Sequence, residues 1–164
     1  MKATGIVRRL DDLGRLVIPK EIRKQFRMKE GDSIEFFIDS DRIVIQKHDM
    51  MSKHIEDILI MCDTLYAIYQ NKVFFLIDDL LLKSNQKVYE HFVDVAKIHR
   101  MKSFENERVF EDSKERYNGL IYPVTAFGDW YGSFIILYDR RELDKSELYA
   151  VEAFTQLLSR QQQQ

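Results

Sequence analysis

The stretch over residues 4–27, TGIVRRLDDLGRLVIPKEIRKQFR, constrains this chain more than any other. Residues 3–9 read as a strand rich in β-branched side chains. Residues 10–14 form a loop, with Asp11 and Asp12 as turn formers and Gly14 free to take a positive φ. Residues 15–18 read as a second short strand that stops at Pro19. Proline suits the first position of a helix, because the N–H it lacks would be unpaired there. The helix is expected to run to about Met28, and Gly31-Asp32 breaks it. On it Lys20, Arg23, Lys24 and Arg27 are spaced to share one face, and Ile22 and Phe26 share the other. Ile34, Phe36 and Ile38 then alternate with polar or exposed positions as a strand, Asp39-Ser40-Asp41 turns the chain, and Arg42–Lys47 returns with Ile43 and Ile45 inward. Residues 1–48 are therefore expected to form a ββαββ unit.

Charge sets this unit apart. Residues 1–30 hold nine Lys/Arg against four acids, in a chain whose total is −2. Residues 1–48 carry net +3 and the remaining 116 carry net −5. A basic head on an acidic body points to a polyanion partner, of which DNA is the commonest. The head is also too small to stabilise itself easily. Ile6, Val7, Val17, Ile18, Ile22, Phe26, Ile34, Phe36, Ile43 and Ile45 all need cover, with no disulfide and no metal-ligand spacing to help. Pairing with a second copy is the remaining common solution.

After a polar connector, expected at 49–52, the pattern changes. From Lys53 an amphipathic helix carries Ile55, Ile58, Leu59, Cys62, Leu65, Tyr66 and Tyr69 on one stripe. Residues 73–77 read as a buried strand closed by Asp78-Asp79. A helix is expected over about 86–101, with Val88, Phe92, Val95, Ala96 and Ile98 inward. Residues 102–116 read as a charged loop with one short strand near Val109-Phe110. Residues 120–126 and 130–138 read as strands joined by a Gly128-Asp129 turn. Asp144-Lys-Ser-Glu147 has the form of a capping box for a last helix, whose stripe is Leu148, Val151, Phe154, Leu157 and Leu158. Residues 161–164 are expected to fray. The order α, β, α, β, β, α places helices at both ends of a small antiparallel sheet.

The longest apolar runs are far short of a membrane span, and no apolar leader precedes the head. One cysteine, Cys62, cannot form an internal disulfide, which fits a cytoplasmic setting. No Gly-rich phosphate loop, zinc-binding histidine pair or nucleophile elbow is present, so the reading is of a non-enzyme without cofactor or metal. His48, His54, His91 and His99 read as surface histidines, Cys62 as a small buried side chain, and Trp130 and Tyr131 as hairpin packing.

The matched residues T-G-I-V-R-R-L-D-D-L-G-R-L-V-I-P-K-E-I-R, followed by E-G-D and an I-x-F-x-I strand, resemble the AbrB-type swapped-hairpin DNA-binding domain of bacterial transition-state regulators. The resemblance implies two chains interlacing their hairpins into one small barrel that presents basic residues to DNA. It places DNA contacts on Arg8, Arg15, Arg23 and Lys24. Lys24 is often Arg in the family, and Lys keeps the charge while losing the bidentate fork. Lys2, Arg9, Lys20 and Arg27 form a second rank of candidates. Arg9 points to the opposite strand face from Arg8 and is also placed to pair with Asp11 or Asp12. The resemblance implies tolerance of many DNA sequences, and for members with a following body it implies a GAF-like domain over 53–164. In such members the terminal helices bundle with a partner's, giving a dimer or a tetramer, and control of late sporulation genes is implied. Effector residues are unknown. Two rivals remain: an antitoxin using the same head to neutralise a toxin, and a small-molecule sensor in which DNA binding is secondary. Residues 53–160, with strong helix and strand periodicity, argue against the disordered acidic tail that antitoxins usually carry.

Overall fold

The computed structural model describes residues 2–48 and 51–163. The chain divides into two compact units, Met1–Asp49 and Met50–Gln164, the head and the body.

The head holds α1 (Lys20–Gln25), β1 (Ile34–Asp39) and β2 (Arg42–Lys47). Residues 3–9 and 15–18, expected as strands, join no ladder, so the single chain shows a two-stranded sheet rather than ββαββ. A strand needs a neighbour for its backbone groups, and β1 and β2 pair only with each other. Pro19 stands one residue before the helix rather than at its first position, and its carbonyl accepts the first helical bond, from Arg23 N–H at 2.9 Å. The helix also ends earlier than the expected Met28. Arg27 takes φ 51°, Met28 N–H donates to Arg23 O at 2.8 Å and Arg27 N–H to Lys24 O at 3.2 Å. This is the Schellman closure, with arginine where glycine is usual. Arg27 therefore leaves the helical face that Lys20, Arg23 and Lys24 share.

The β1–β2 hairpin sets Phe36 opposite Ile45 and Ile38 opposite Ile43. Alternation puts these on one face with Ile34. Phe36 is 71% and Ile38 86% exposed. None of the described residues 2–48 is buried.

The body is closed. Of the expected connector, residues 49 and 50 lie outside the described residues, Met51 is buried in the body core, and Ser52–His54 form a 3₁₀ turn. The body then runs α2 (Ile55–Tyr69), β3 (Lys72–Ile77), β4 (Leu80–Leu82), α3 (Glu90–Ala96), β5 (Lys102–Arg108), β6 (Arg116–Ala126), β7 (Asp129–Leu137) and α4 (Tyr149–Gln161). Five strands form an antiparallel sheet in the order β4-β3-β7-β6-β5. On one face Val73, Phe75, Tyr122, Phe134 and Ile136 pack with Ile58, Met61, Cys62 and Leu65 of α2 and Val151 and Leu158 of α4. On the other, Phe74, Leu76, Ile121 and Ile135 pack with Phe92, Val93 and Ala96 of α3. The apolar run over 73–77 is thus shared between two cores. Burying one Phe or Ile side chain in either core contributes about 1.5–3 kcal/mol.

Four expectations for the body are corrected. The helix expected over 86–101 is only Glu90–Ala96, because Val88 bridges Phe110 as an extended residue and Lys102 already begins a strand. The charged stretch expected as a loop contains β5, an edge strand that buries Phe104 alone. On the α2 stripe Met61 is buried while Tyr66 is 48% exposed. At the chain end α4 continues through Gln161 and Gln162 is buried, where fraying was expected.

Gly132 is required by the packing. A Cβ there would overlap the Phe75 ring and the Leu76 carbonyl, and Phe75 is fully buried edge-on against Phe134 at 4.9 Å. Gly132→Ala is expected to lower body stability by about 1–3 kcal/mol in urea unfolding, the usual cost of overpacking.

A clasp joins the ends of the body. Tyr69 Oη donates to Glu147 O at 2.7 Å and accepts from Val151 N–H at 3.2 Å. The buried Asn71 side chain donates to Arg141 O at 2.8 Å and accepts from Arg140 and Arg141 N–H at 3.2 Å. The Glu147 carboxylate receives both Arg141 Nη atoms and completes a capping box with Asp144. These bonds, the Arg141 guanidinium first, hold its pKa at about 2. The unfolded chain takes up that proton at higher pH, so the contribution is complete above the ordinary glutamate value of about 4.3 and fades as pH falls toward the folded value. Acid titration of the melting temperature should therefore be less steep below about pH 4.3 for Glu147→Gln than for the parent, and parallel curves would remove this group from the acid limb.

Candidate nucleic-acid interface

The eight candidate cations of the head, Lys2, Arg8, Arg9, Arg15, Lys20, Arg23, Lys24 and Arg27, are all exposed. Arg8 lies on the extended N-terminal segment, where its Nη1 donates to Val7 O at 2.9 Å. Lys2 and Arg9 lie on the same segment. Lys20, Arg23 and Lys24 lie on α1, and among the described residues none of the three is in an ion pair. Their charge is therefore not neutralised locally. Arg23 and Lys24 occupy the last turn of the helix, where cations complement the partial negative charge of the carbonyl end. Arg27 sits just past it, and its carbonyl accepts from Lys47 Nζ at 3.4 Å.

Arg15 is the most tightly placed of the set. Asp11 Oδ1 accepts from Leu13 N–H at 2.9 Å and from Arg15 N–H at 2.7 Å, while Asp11 Oδ2 accepts from Arg15 Nε at 2.6 Å. The Asp11 and Arg15 backbones also bond, N–H to carbonyl, at 3.2 Å. Gly14, at φ 72°, completes the turn. The Arg15 backbone first, then its guanidinium, holds the Asp11 carboxyl below the usual carboxylate range. Asp11 thus pairs with Arg15, where the sequence placed Arg9 beside Asp11 or Asp12. The sequence gives Asp11 as a turn former, and the structure adds that it holds Arg15. Its signal was an aspartate at the start of a tight turn with an arginine four residues on. The latch uses Nε, so the guanidinium keeps its Nη donors for an outside acceptor.

The rest of the head edge is internally tied. Asp32 Oδ2 accepts from Lys29 N–H at 2.7 Å and lies 3.3 Å from Lys47 Nζ, and His48 Nδ1 lies 3.0 Å from Glu35 Oε2.

Clefts indent the described surface of the body. One, of about 400 Å³, is lined by Glu115, Arg116, Tyr117, Asp139, Arg140 and Arg141. Most of its charges already serve the fold: Arg141 clamps Glu147, Arg116 Nη1 donates to Asn106 O at 2.7 Å, and Asp139 accepts from Lys72 N–H at 2.9 Å. Another, of about 250 Å³, lies over Cys62, Tyr66, Val73 and Phe74, with Lys83 bound to Asp63 at 2.6 Å. Cys62 is buried, as its stripe position implied, and burial pushes its thiol up to about 12. Trp130 packs in the hairpin, its Nε1 donating to Ser133 Oγ at 2.9 Å. Between the sheet and α3 the space is filled by Phe74, Phe92, Phe104, Phe110 and Tyr117, paired edge to face. Among the described residues no group of His, Cys, Asp and Glu could hold a metal ion, and no helix is long and apolar enough to cross a membrane.

Residues 7–52 match the family model described as antidote-toxin recognition MazE, bacterial antitoxin. Over its whole length the chain is 33% identical to stage V sporulation protein T of Bacillus subtilis, covering all of both chains. It is 48% identical to the putative transition state regulator Abh of the same organism, over 29% of this chain and 52% of that one. A solution structure of the N-domain of the transcription factor abrB shares 46% identity, covering 29% of this chain and 92% of that one with a TM-score of 0.28.

If the Asp11 carboxylate holds the Arg15 turn, Asp11→Ala should speed amide exchange at Leu13 and Arg15 by NMR while leaving the β1–β2 amides unchanged. Unaltered exchange at both sites would show that the turn holds without the latch.

Proposed function

Since the chain belongs to the family of stage V sporulation protein T, with an AbrB-type head, we propose that it is a homo-oligomeric transcription regulator whose head binds double-stranded DNA. The observation that carries this reading is the set of exposed cations on α1 and the Asp11–Arg15 turn, in a head whose apolar side chains have no cover within that unit. Arg8, Arg15, Arg23 and Lys24 are the proposed contacts, with Lys2, Arg9, Lys20 and Arg27 flanking them. Arginine neutralises phosphates and also reaches guanine O6 and N7 in the major groove. The helix face offers Gln25 at its flank as the remaining base reader, so DNA shape and deformability carry much of the selection and many sequences are tolerated.

A pair of heads is the proposed binding unit. In it the segments at 3–9 and 15–18 become strands by pairing with the partner's, which covers Val7, Val17, Phe36 and Ile38. An exposed apolar patch of this extent marks an interaction surface. The body, a GAF-like domain in this reading, holds the heads in register. The outward Ile60, Ile68 and Leu157 of α2 and α4 supply further contact between copies as a dimer or tetramer. Linked heads bind more tightly because the second contact is intramolecular. Sensing of a small effector is a second role for the body, favoured by its 400 Å³ cleft. In this reading the protein works in the cytoplasm on the nucleoid, acts on late sporulation genes and is not an enzyme, and its likeness to stage V sporulation protein T supports that reading.

The antitoxin reading draws on the family model matched at residues 7–52. The folded, two-core body speaks against it, since such a partner-binding tail is usually disordered.

Arg15→Ala combined with Arg23→Ala is expected to abolish DNA binding while the oligomer, read by light scattering, stays the same. Parental affinity in the double variant would overturn the site assignment. If a dimer neutralises about eight phosphates, log K should fall with log salt at a slope of roughly −7, and the single variant Arg23→Ala should lose roughly a quarter of that slope.

A further inference from the structure

The β6–β7 hairpin displays a residue that its own backbone disfavours. Ala126 pairs with Asp129, so the loop is only Phe127 and Gly128, with φ of 53° and 85°. Positive φ at both central positions is the type I′ turn, where Asn, Asp and Gly are favoured and a bulky side chain is strained. Burial does not offset that strain. Phe127 is 78% exposed, more than any other large apolar side chain among the described residues of the body.

The tip is braced. His99 Nε2 lies 3.1 Å from Gly128 O, Lys97 Nζ stands 5.4 Å over the Trp130 ring, and Ser133 Oγ donates to Ala96 O at 2.9 Å. The segment after α3 is thereby held against the hairpin end. It brings the half-exposed Met101 and exposed Lys97, Arg100 and Lys102. Among the described residues none of these three cations is in an ion pair. Exposed Asp129 begins the second strand of the hairpin, and exposed Asp94 lies in the last turn of α3, two residues before Ala96.

We propose that this end of the body is an interface between two copies of the chain, anchored by Phe127. The mixture of charge selects the occupant. DNA or an anionic membrane presents one sign and would leave Asp94 and Asp129 without a counter-charge. A two-fold pairing of the patch with itself sets the cations of one copy against the acids of the other around a shared apolar centre. Aromatic residues, Met and Arg are the types enriched at interface cores. This contact is separate from the head and from the outer faces of α2 and α4, and it does not depend on the DNA-binding reading.

The test is sedimentation of the full chain over the micromolar range, comparing the parent with Phe127→Asn and Arg100→Glu. Asn suits the turn, so Phe127→Asn should melt no lower than the parent. Its largest assembly should nevertheless fall to half the parental mass, or dissociate at least about tenfold more readily. Arg100→Glu, at an exposed position, should do the same. Parental mass in both variants at every concentration overturns the proposal. It is equally overturned if mass is unchanged while Phe127→Asn weakens binding to duplex DNA or to phosphatidylglycerol vesicles, since the patch would then face a polyanion.

Discussion

The head cannot cover its own apolar surface, and much else follows from that. Its ten apolar side chains that need cover lie on two extended segments, one short helix and one hairpin, and none of the described residues there is buried. An isolated two-stranded hairpin is marginal in water. Its local order comes from polar devices instead: the Asp11–Arg15 latch, the Schellman closure at Arg27 and the Asp32–Lys47 tie. They shape the basic surface without supplying a core, so shape and stability in this unit have different sources.

The body solves the opposite problem. Its sheet is covered on both faces and its core is contributed by both ends of the unit, α2 and α4. The Tyr69, Asn71 and Glu147 bonds close the sequence-distant ends together. The aromatic layer between sheet and α3 leaves that side filled.

Elements whose pattern was strong were legible in the sequence. The stripes of α2 and α4, the run at 73–77 and the β6–β7 pair were all placed to within a few residues. Weak patterns were not. β5 reads KSFENER, whose charges suit an edge strand as well as a loop, and only Phe104 turns inward. The helix around Phe92 was drawn too long because Val88 is apolar at helical spacing, yet it pairs with Phe110 across a bridge. The head strands were read from β-branched composition, which describes what the residues favour but does not supply the neighbouring ladder. In the site, the cations were legible from charge, whereas the pairing of Asp11 with Arg15 required the turn geometry.

The division of the core between chain ends also bears on how the protein is made. Residues 2–48 leave the ribosome before the body but hold no core of their own. The body cannot finish until α4 arrives, because Val151 and Leu158 fill the same core as Ile58 and Leu65. At usual synthesis rates of about 5–20 residues per second, the nascent chain spends roughly 8–30 s with neither unit complete. During that interval its hairpin edges and apolar faces are open, and neighbouring nascent chains on one message are the nearest source of cover.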